Sequence, residues 1–315
     1  MYLSIIQIAR NTFRETLRDP IFFILLLCSL ILIGLLPECA LFVFREQKKL
    51  VIDSSLATIL SFGWIIAVLA SAHTITREID KGTISLILSK PVKRYSVILA
   101  KILGIFAALT VFVLLNSLAA LIALRVAKDQ FRLEYIALGI YFGTILLACF
   151  YGGVRNYLSG ESFVMNSSLG LMYALPTITL LIAFIPVNGK LVYFASSLVP
   201  AMLLILFAVL IIGIIAISLS TCLNTVSNLL VCFIVFTSGL MSDYLVGRFA
   251  NTNWIASILY GLIPNWQMFW LVDAITAGET IPIEYLLWAS LYAIILIFVF
   301  TIFAVVLFQD REVGR

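Results

Sequence analysis

The chain has 315 residues, 63% of them apolar and only 11% charged, with a formal net charge of +4 and a mean hydropathy of +1.15. A soluble domain covers itself with roughly a quarter of charged residues, so this surface meets lipid and a soluble enzyme is excluded. The positive charge is small and scattered, which leaves nucleic acid without a binding face.

Residues 1–18 are too polar to cross a bilayer. They set Tyr2, Ile5, Ile6, Ala9, Phe13 and Leu17 on one helical face, with Arg10, Arg14 and Arg18 in a row on another. That pattern suits an amphipathic helix lying at the membrane surface with its arginines toward anionic headgroups. Asp19-Pro20 then supplies a cap and a first-turn proline for the next helix. A bilayer crossing takes about 20 apolar residues. Such runs lie near 21–44, 56–76, 102–125, 134–152, 167–186, 193–219, 226–247 and 284–308. Eight spans are therefore expected, with six as the alternative. The pair 134–152 and 167–186 is the weakest, because Gly152, Gly153 and Gly160 crowd its connection and Pro176 interrupts its second member. An even number returns both termini to one side. With that side inside, its flanks hold twelve Lys and Arg against eight outside, as the positive-inside bias requires.

Chemical constellations are scarce. Cys28, Cys39, Cys149, Cys222 and Cys232 sit in or beside apolar runs without a CxxC pair, and read as small apolar residues. Leu27 and Glu38 precede the first two, where a lipidation site needs a small residue. The first apolar run is also too long for a signal peptide. His73, the single histidine, cannot form a histidine-based zinc site and reads as an interfacial hydrogen-bonding group. No GxxxxGK[ST] loop is present, so the chain has no P-loop for ATP. Glu38 and Asp243 lie in the outer parts of their spans; each either lines a polar substrate path or sits at headgroup level.

The most informative stretch is 77–101, REIDKGTISLILSKPVKRYSVILAK, with six basic and two acidic residues between two firm spans. Its apolar centre, Thr83 to Ser89, is bracketed by Gly82 and Pro91, which let a short helix turn along the membrane face. Such a loop suits a cytoplasmic partner or anionic lipid.

Arg77-Glu78, Gly82-Thr83, then Leu88-Ser89-Lys90-Pro91-Val92-Lys93-Arg94 and Lys101 resemble the cytoplasmic signature of type-2 ABC exporter permeases. The N-terminal helix, the ISLSTCLNTVSN turn near 217–228 and the closing Asp310-Arg311-Glu312 fit the same family. The branch most resembled groups with copper-enzyme maturation systems. The resemblance implies an all-α, polytopic transmembrane bundle over 1–315, with an interfacial helix at 1–18 and a cytoplasmic coupling helix in 77–101. It implies coupling to separately encoded ATPase subunits through Arg77, Glu78, Gly82, Thr83, Ile84, Leu86, Leu88, Pro91, Arg94 and Lys101, with 220–227 as a smaller second contact. A second permease copy or paralogue is the other partner. ATP and magnesium would be bound by the ATPase, and no cofactor by this chain. Segment 249–282, with Trp254, Trp266 and Trp270, would form re-entrant or surface helices at the outer face, its aromatics in an interface belt. The expected location is the bacterial cytoplasmic membrane with both termini inside. Two other classes stay open: a secondary transporter or channel, which should show internal repeats or mid-membrane charges, and an intramembrane enzyme, which should show paired catalytic groups deep in its spans.

Overall fold

Asp19 turns the chain from a surface-type helix into the first long apolar one. Its Oδ1 accepts from the backbone N–H of Ile21 at 2.9 Å, with Pro20 opening the helix behind it. The computed structural model describes residues 2–43, 46–77, 94–128, 132–184, 197–250, 254, 257, 260–261, 263–279 and 281–310. The helices, in order, are α1 (Tyr2–Arg18), α2 (Pro20–Cys39), α3 (Gln47–Ser71), α4 (Arg94–Val126), α5 (Tyr135–Ser159), α6 (Phe163–Phe184), α7 (Leu198–Ser220), α8 (Thr225–Leu240), α9 (Val272–Thr276) and α10 (Ile283–Asp310). The described strands are one two-residue pair, β1 (Ala127–Lys128) with antiparallel β2 (Arg132–Leu133), closing the turn between α4 and α5.

Seven of these helices are long and apolar enough to cross a membrane, and the fold is an all-helical, polytopic membrane bundle. The eighth expected run, 226–247, departs from expectation. Helix α8 stops at Leu240 after 16 residues, and a π-helical turn, Asp243–Gly247, follows. At 1.5 Å per residue, α8 reaches about 24 Å, short of a roughly 30 Å hydrocarbon core. Pro176, expected to interrupt its span, is accommodated inside a continuous α6. Residues 94–101, read as the tail of a loop, are instead the first two turns of α4.

Helix α7 is the centre of the bundle. Burial covers 72% of its apolar window but only 22% of that in α10, so α10 shows most of its surface outward. Helices α3, α4 and α10 pack directly around α7, and α2 fills the angle between α3 and α4. The 33 residues of α4 span about 50 Å, far more than the hydrocarbon. Helix α1 lies along its first turns. A side chain at Gly104 would run into the carbonyl of Ala9 and the Cβ of Thr12, 2.6 and 2.7 Å away, so the two backbones touch there.

Helices α5 and α6 form a tight hairpin. Gly160 ends α5 with φ at 65°, a left-handed cap that glycine adopts without strain. Arg155 and Asn166 both donate to the Glu161 carboxylate, at 2.6 and 3.0 Å. These bonds hold the Glu161 carboxyl below its ordinary range, Asn166 contributing most.

Candidate functional site

The contacts that fix the bundle's polarity also define its functional end. His73 Nδ1 lies 2.7 Å from Asp19 Oδ2, so the capping carboxylate of α2 also holds the end of α3. Thr76 donates to the carbonyl of Ser220 at 3.1 Å, and the Arg94 guanidinium reaches the carbonyl of Gln309 at 3.4 Å. The Arg18 Nε–H points at the sulfur of Met165, 3.0 Å away. One end of the molecule therefore gathers the start of α2, the ends of α3, α7 and α10, the start of α4 and the α5–α6 turn.

At this end α3 does not finish as a plain helix. Ala72–Thr76 winds as a π-helix, a form that rarely exceeds one turn and often marks functional positions. Lys101, 2% exposed in α4, donates from Nζ to the Thr74 carbonyl at 2.7 Å. A buried ammonium must be paired, so Lys101 ties the π turn to α4 while Thr76 ties it to the α7–α8 turn. That turn is ordered by Asn224, whose side chain caps α8 by accepting from the Ser227 N–H at 2.9 Å. Asn228, fully buried, donates to the Ser220 hydroxyl at 2.7 Å and to the Ala216 carbonyl at 3.1 Å. Lys101→Met is expected to leave the Thr74 carbonyl unpaired at a cost of about 1–3 kcal/mol. Amide exchange should quicken across 72–77, with the α5–α6 hairpin unaffected and Lys101→Arg closer to wild type.

Of the expected coupling residues, Arg77 continues α3 and Arg94 and Lys101 open α4, so both ends of the intervening segment rest on the pinned end of the bundle. Glu78, Gly82, Thr83, Ile84, Leu86, Leu88 and Pro91 lie outside the described residues. Beside the point where the chain leaves α3 is a cavity of about 910 Å³. Arg14, Arg18, Arg77, Glu15, Asp19 and His73 line it, giving it mixed charge. Ser220 falls within the expected second contact, 220–227, but nothing in the sequence singled out Thr74 or Thr76 as parts of this end; their contribution is through a carbonyl and a hydroxyl that any loop could carry.

Glu38 and Asp243 lie at the opposite end, in the last turn of α2 and beyond the end of α8. No hydrogen bond or ion pair links them among the described residues. Asp243 Oδ1 accepts from the Tyr260 hydroxyl at 2.6 Å and from the Asn265 side chain at 3.0 Å. The hydrogen bond to Asp243 pushes the Tyr260 hydroxyl above its ordinary range, with partial burial and the carboxylate's charge adding to the effect. In the 249–282 segment, Trp254 is 75% exposed, whereas Trp266 is buried at 2%. Trp266 is no belt residue: its indole donates to the Phe236 carbonyl at 3.0 Å, and its ring lies against Phe236 and Phe269. A gap at Gly239 admits it, since a Cβ there would strike the Pro264 carbonyl and the indole. Among the described residues, no group of three His, Cys, Asp or Glu side chains is placed to hold a metal ion.

Residues 6–160 match the family described as "ABC-2 family transporter protein". Over that matched region the chain is thus the membrane permease component of an ABC-2 type transporter, a transport domain and not an ATPase. No curated protein matches the sequence.

Proposed function

We propose that this permease is the membrane half of an exporter whose motor, a separate pair of ABC ATPase subunits, docks on the segment between Arg77 and Arg94. The observation that carries this reading is the pinning of both ends of that segment: Thr74 to Lys101, Thr76 to Ser220 and Arg94 to Gln309. A push on the segment would reach α3, α4, α7 and α10 together. The second contact falls on 220–227, in the turn that Thr76 already touches.

The pinned end faces the cytoplasm in this reading, which agrees with the lysine and arginine bias. Arg94 meets Gln309 there, so both termini lie inside a bacterial inner membrane, with α8 and the turn after it making the eighth crossing that the seven long helices leave out. Helix α1, with Arg10, Arg14 and Arg18, rests at that surface as an interfacial helix. A second permease copy or paralogue completes the transporter, and the sparsely covered α10 supports such a neighbour. Glu38 and Asp243, at the far end, line the exit of the substrate path. The 77–101 motif favours the branch related to copper-enzyme maturation. ATP and magnesium stay on the partner.

The test is reconstitution. The purified chain is expected to hydrolyse no ATP, and turnover to arise when the cognate ATPase subunit is added. ATP hydrolysis by the chain alone, with no contaminating ATPase, would show the reading to be wrong.

A further inference from the structure

The end of the bundle away from the pinned loop holds a cavity of about 600 Å³, walled in part by the Phe236–Trp266 contact described above. One wall is a single face of α3. Asp53, Ala57, Leu60, Ser61 and Trp64 fall at helical steps of three and four, so their side chains form one stripe about 16 Å long. Ala57, Leu60 and Ser61 line the cavity itself, with Asp53 one turn beyond and Trp64 one turn deeper. The facing wall is aromatic and comes from Phe236 of α8 together with Trp266 and Trp270. Asp273, in the short α9, stands at the rim.

Two polar atoms on this stripe lack partners. Asp53 Oδ1 and Trp64 Nε1 are both enclosed, and neither has a hydrogen-bond partner among the described residues. Both are anomalous, because most buried polar groups in proteins are satisfied. In the same helix Thr58 and Ser71 return their hydroxyls to carbonyls one turn back, whereas the Ser55 hydroxyl also has no partner among the described residues. Neither Asp53 nor Trp64 lines the cavity, but the stripe between them does, and its apolar, aromatic surroundings with Asp273 at the rim outline a ligand with a charged head and a greasy body.

The sign of the head follows from the rim. Asp53 lies within electrostatic reach of Asp273 and Glu46, with Lys49 the opposing charge one turn away. Asp273, the charged residue that lines the cavity, and a tryptophan face suit a cation. An aromatic face attracts a cation within about 6 Å of its centroid, and most strongly when water is excluded. Leu60, Leu240 and Phe236 supply the apolar contact that a hydrated metal ion would not use.

We infer that this cavity binds a lipophilic organic cation, its charge between Asp273 and Asp53 and its apolar body against Phe236 and Trp270. Such a ligand is the class of cargo the transporter would release at this face. The inference rests on the permease reading for its meaning as cargo, but the binding site itself does not.

The test therefore uses the purified full chain in lipid nanodiscs without any ATPase. The probes are tetraphenylphosphonium and tetraphenylborate, which share a shape and differ in the sign of their charge. The cation is expected to bind saturably above empty nanodiscs, and the anion only to partition. Asp273→Asn should weaken cation binding at least fivefold, and Asp53→Asn should also weaken it. Ala57→Phe fills the cavity without altering charge and should remove saturable binding, with size-exclusion behaviour reporting that each variant is folded. Equal uptake of cation and anion, or cation binding indifferent to both Asp273→Asn and Ala57→Phe in folded protein, would overturn the site. Either result leaves ATPase docking at the opposite end untouched, so the two proposals fail separately.

Discussion

Leu88→Asp is expected to abolish co-purification of the ATPase subunit while leaving the permease in the membrane at its normal level. Thr83 to Ser89 is the apolar stretch of the charged segment between Arg77 and Arg94, and if the proposed docking holds, that stretch needs a protein groove to cover it. Burying one leucine-sized side chain contributes about 1.5–3 kcal/mol. An aspartate there forfeits that gain and adds the cost of desolvating an unpaired carboxylate. Together these amount to several kcal/mol, or a loss of a hundredfold or more in association. Helices α3 and α4 flank the segment and are held by Lys101, Thr76 and Arg94, so the change does not disturb the bundle. A secondary transporter or an intramembrane enzyme would tolerate it. Ile84→Asp is the parallel variant, and equal ATPase recovery with both would mean that the motor is held elsewhere.

The second large effect is structural, and neighbouring residues serve as its control. At Gly152 in α5 a Cβ would collide with the Ser167 hydroxyl and stand only 2.9 Å from the Phe163 carbonyl and 3.0 Å from the Ser167 nitrogen. Two of those three atoms are backbone and cannot rotate away. Gly152→Leu must therefore push α5 and α6 apart, at a cost near 3 kcal/mol, the upper end of overpacking penalties. Gly153, one residue along, has nothing within 4 Å of its Cβ position, so Gly153→Leu should change stability by no more than about 0.5 kcal/mol. Thermal unfolding of the two variants in one detergent measures the difference. Equal melting would mean that the hairpin is not packed through Gly152.

Much of this architecture was legible in residue order alone. Apolar runs of about twenty residues gave seven helices their places, and Asp19-Pro20 marked the start of α2. Hydropathy failed where the decisive quantity was not composition. The apolar count of 226–247 does not signal that the α-helix stops at Leu240, because Met241, Tyr244, Leu245 and Val246 keep the run apolar around Asp243. Trp266 looked like an interfacial anchor because tryptophan favours that position. Its burial depends on a partner carbonyl at Phe236 and on the missing side chain of Gly239, and both are tertiary facts. Lys101 stood out as part of a motif, but its partner is a backbone carbonyl at Thr74, and a carbonyl has no letter in the sequence.

The π turn in α3 has a rotational consequence. A turn closed by i→i+5 bonds holds one residue more than an α-turn, and one residue corresponds to about 100° around the helix axis. Residues before Ala72 keep the azimuth that packs them against α7 and α4. Arg77 therefore sits about 100° around the axis from the heading a plain helix would give. A single-residue deletion within 72–76 would preserve every apolar contact above Ser71 yet swing the exit of the loop by more than a quarter of a circle, presenting the same residues to a different side of whatever docks there.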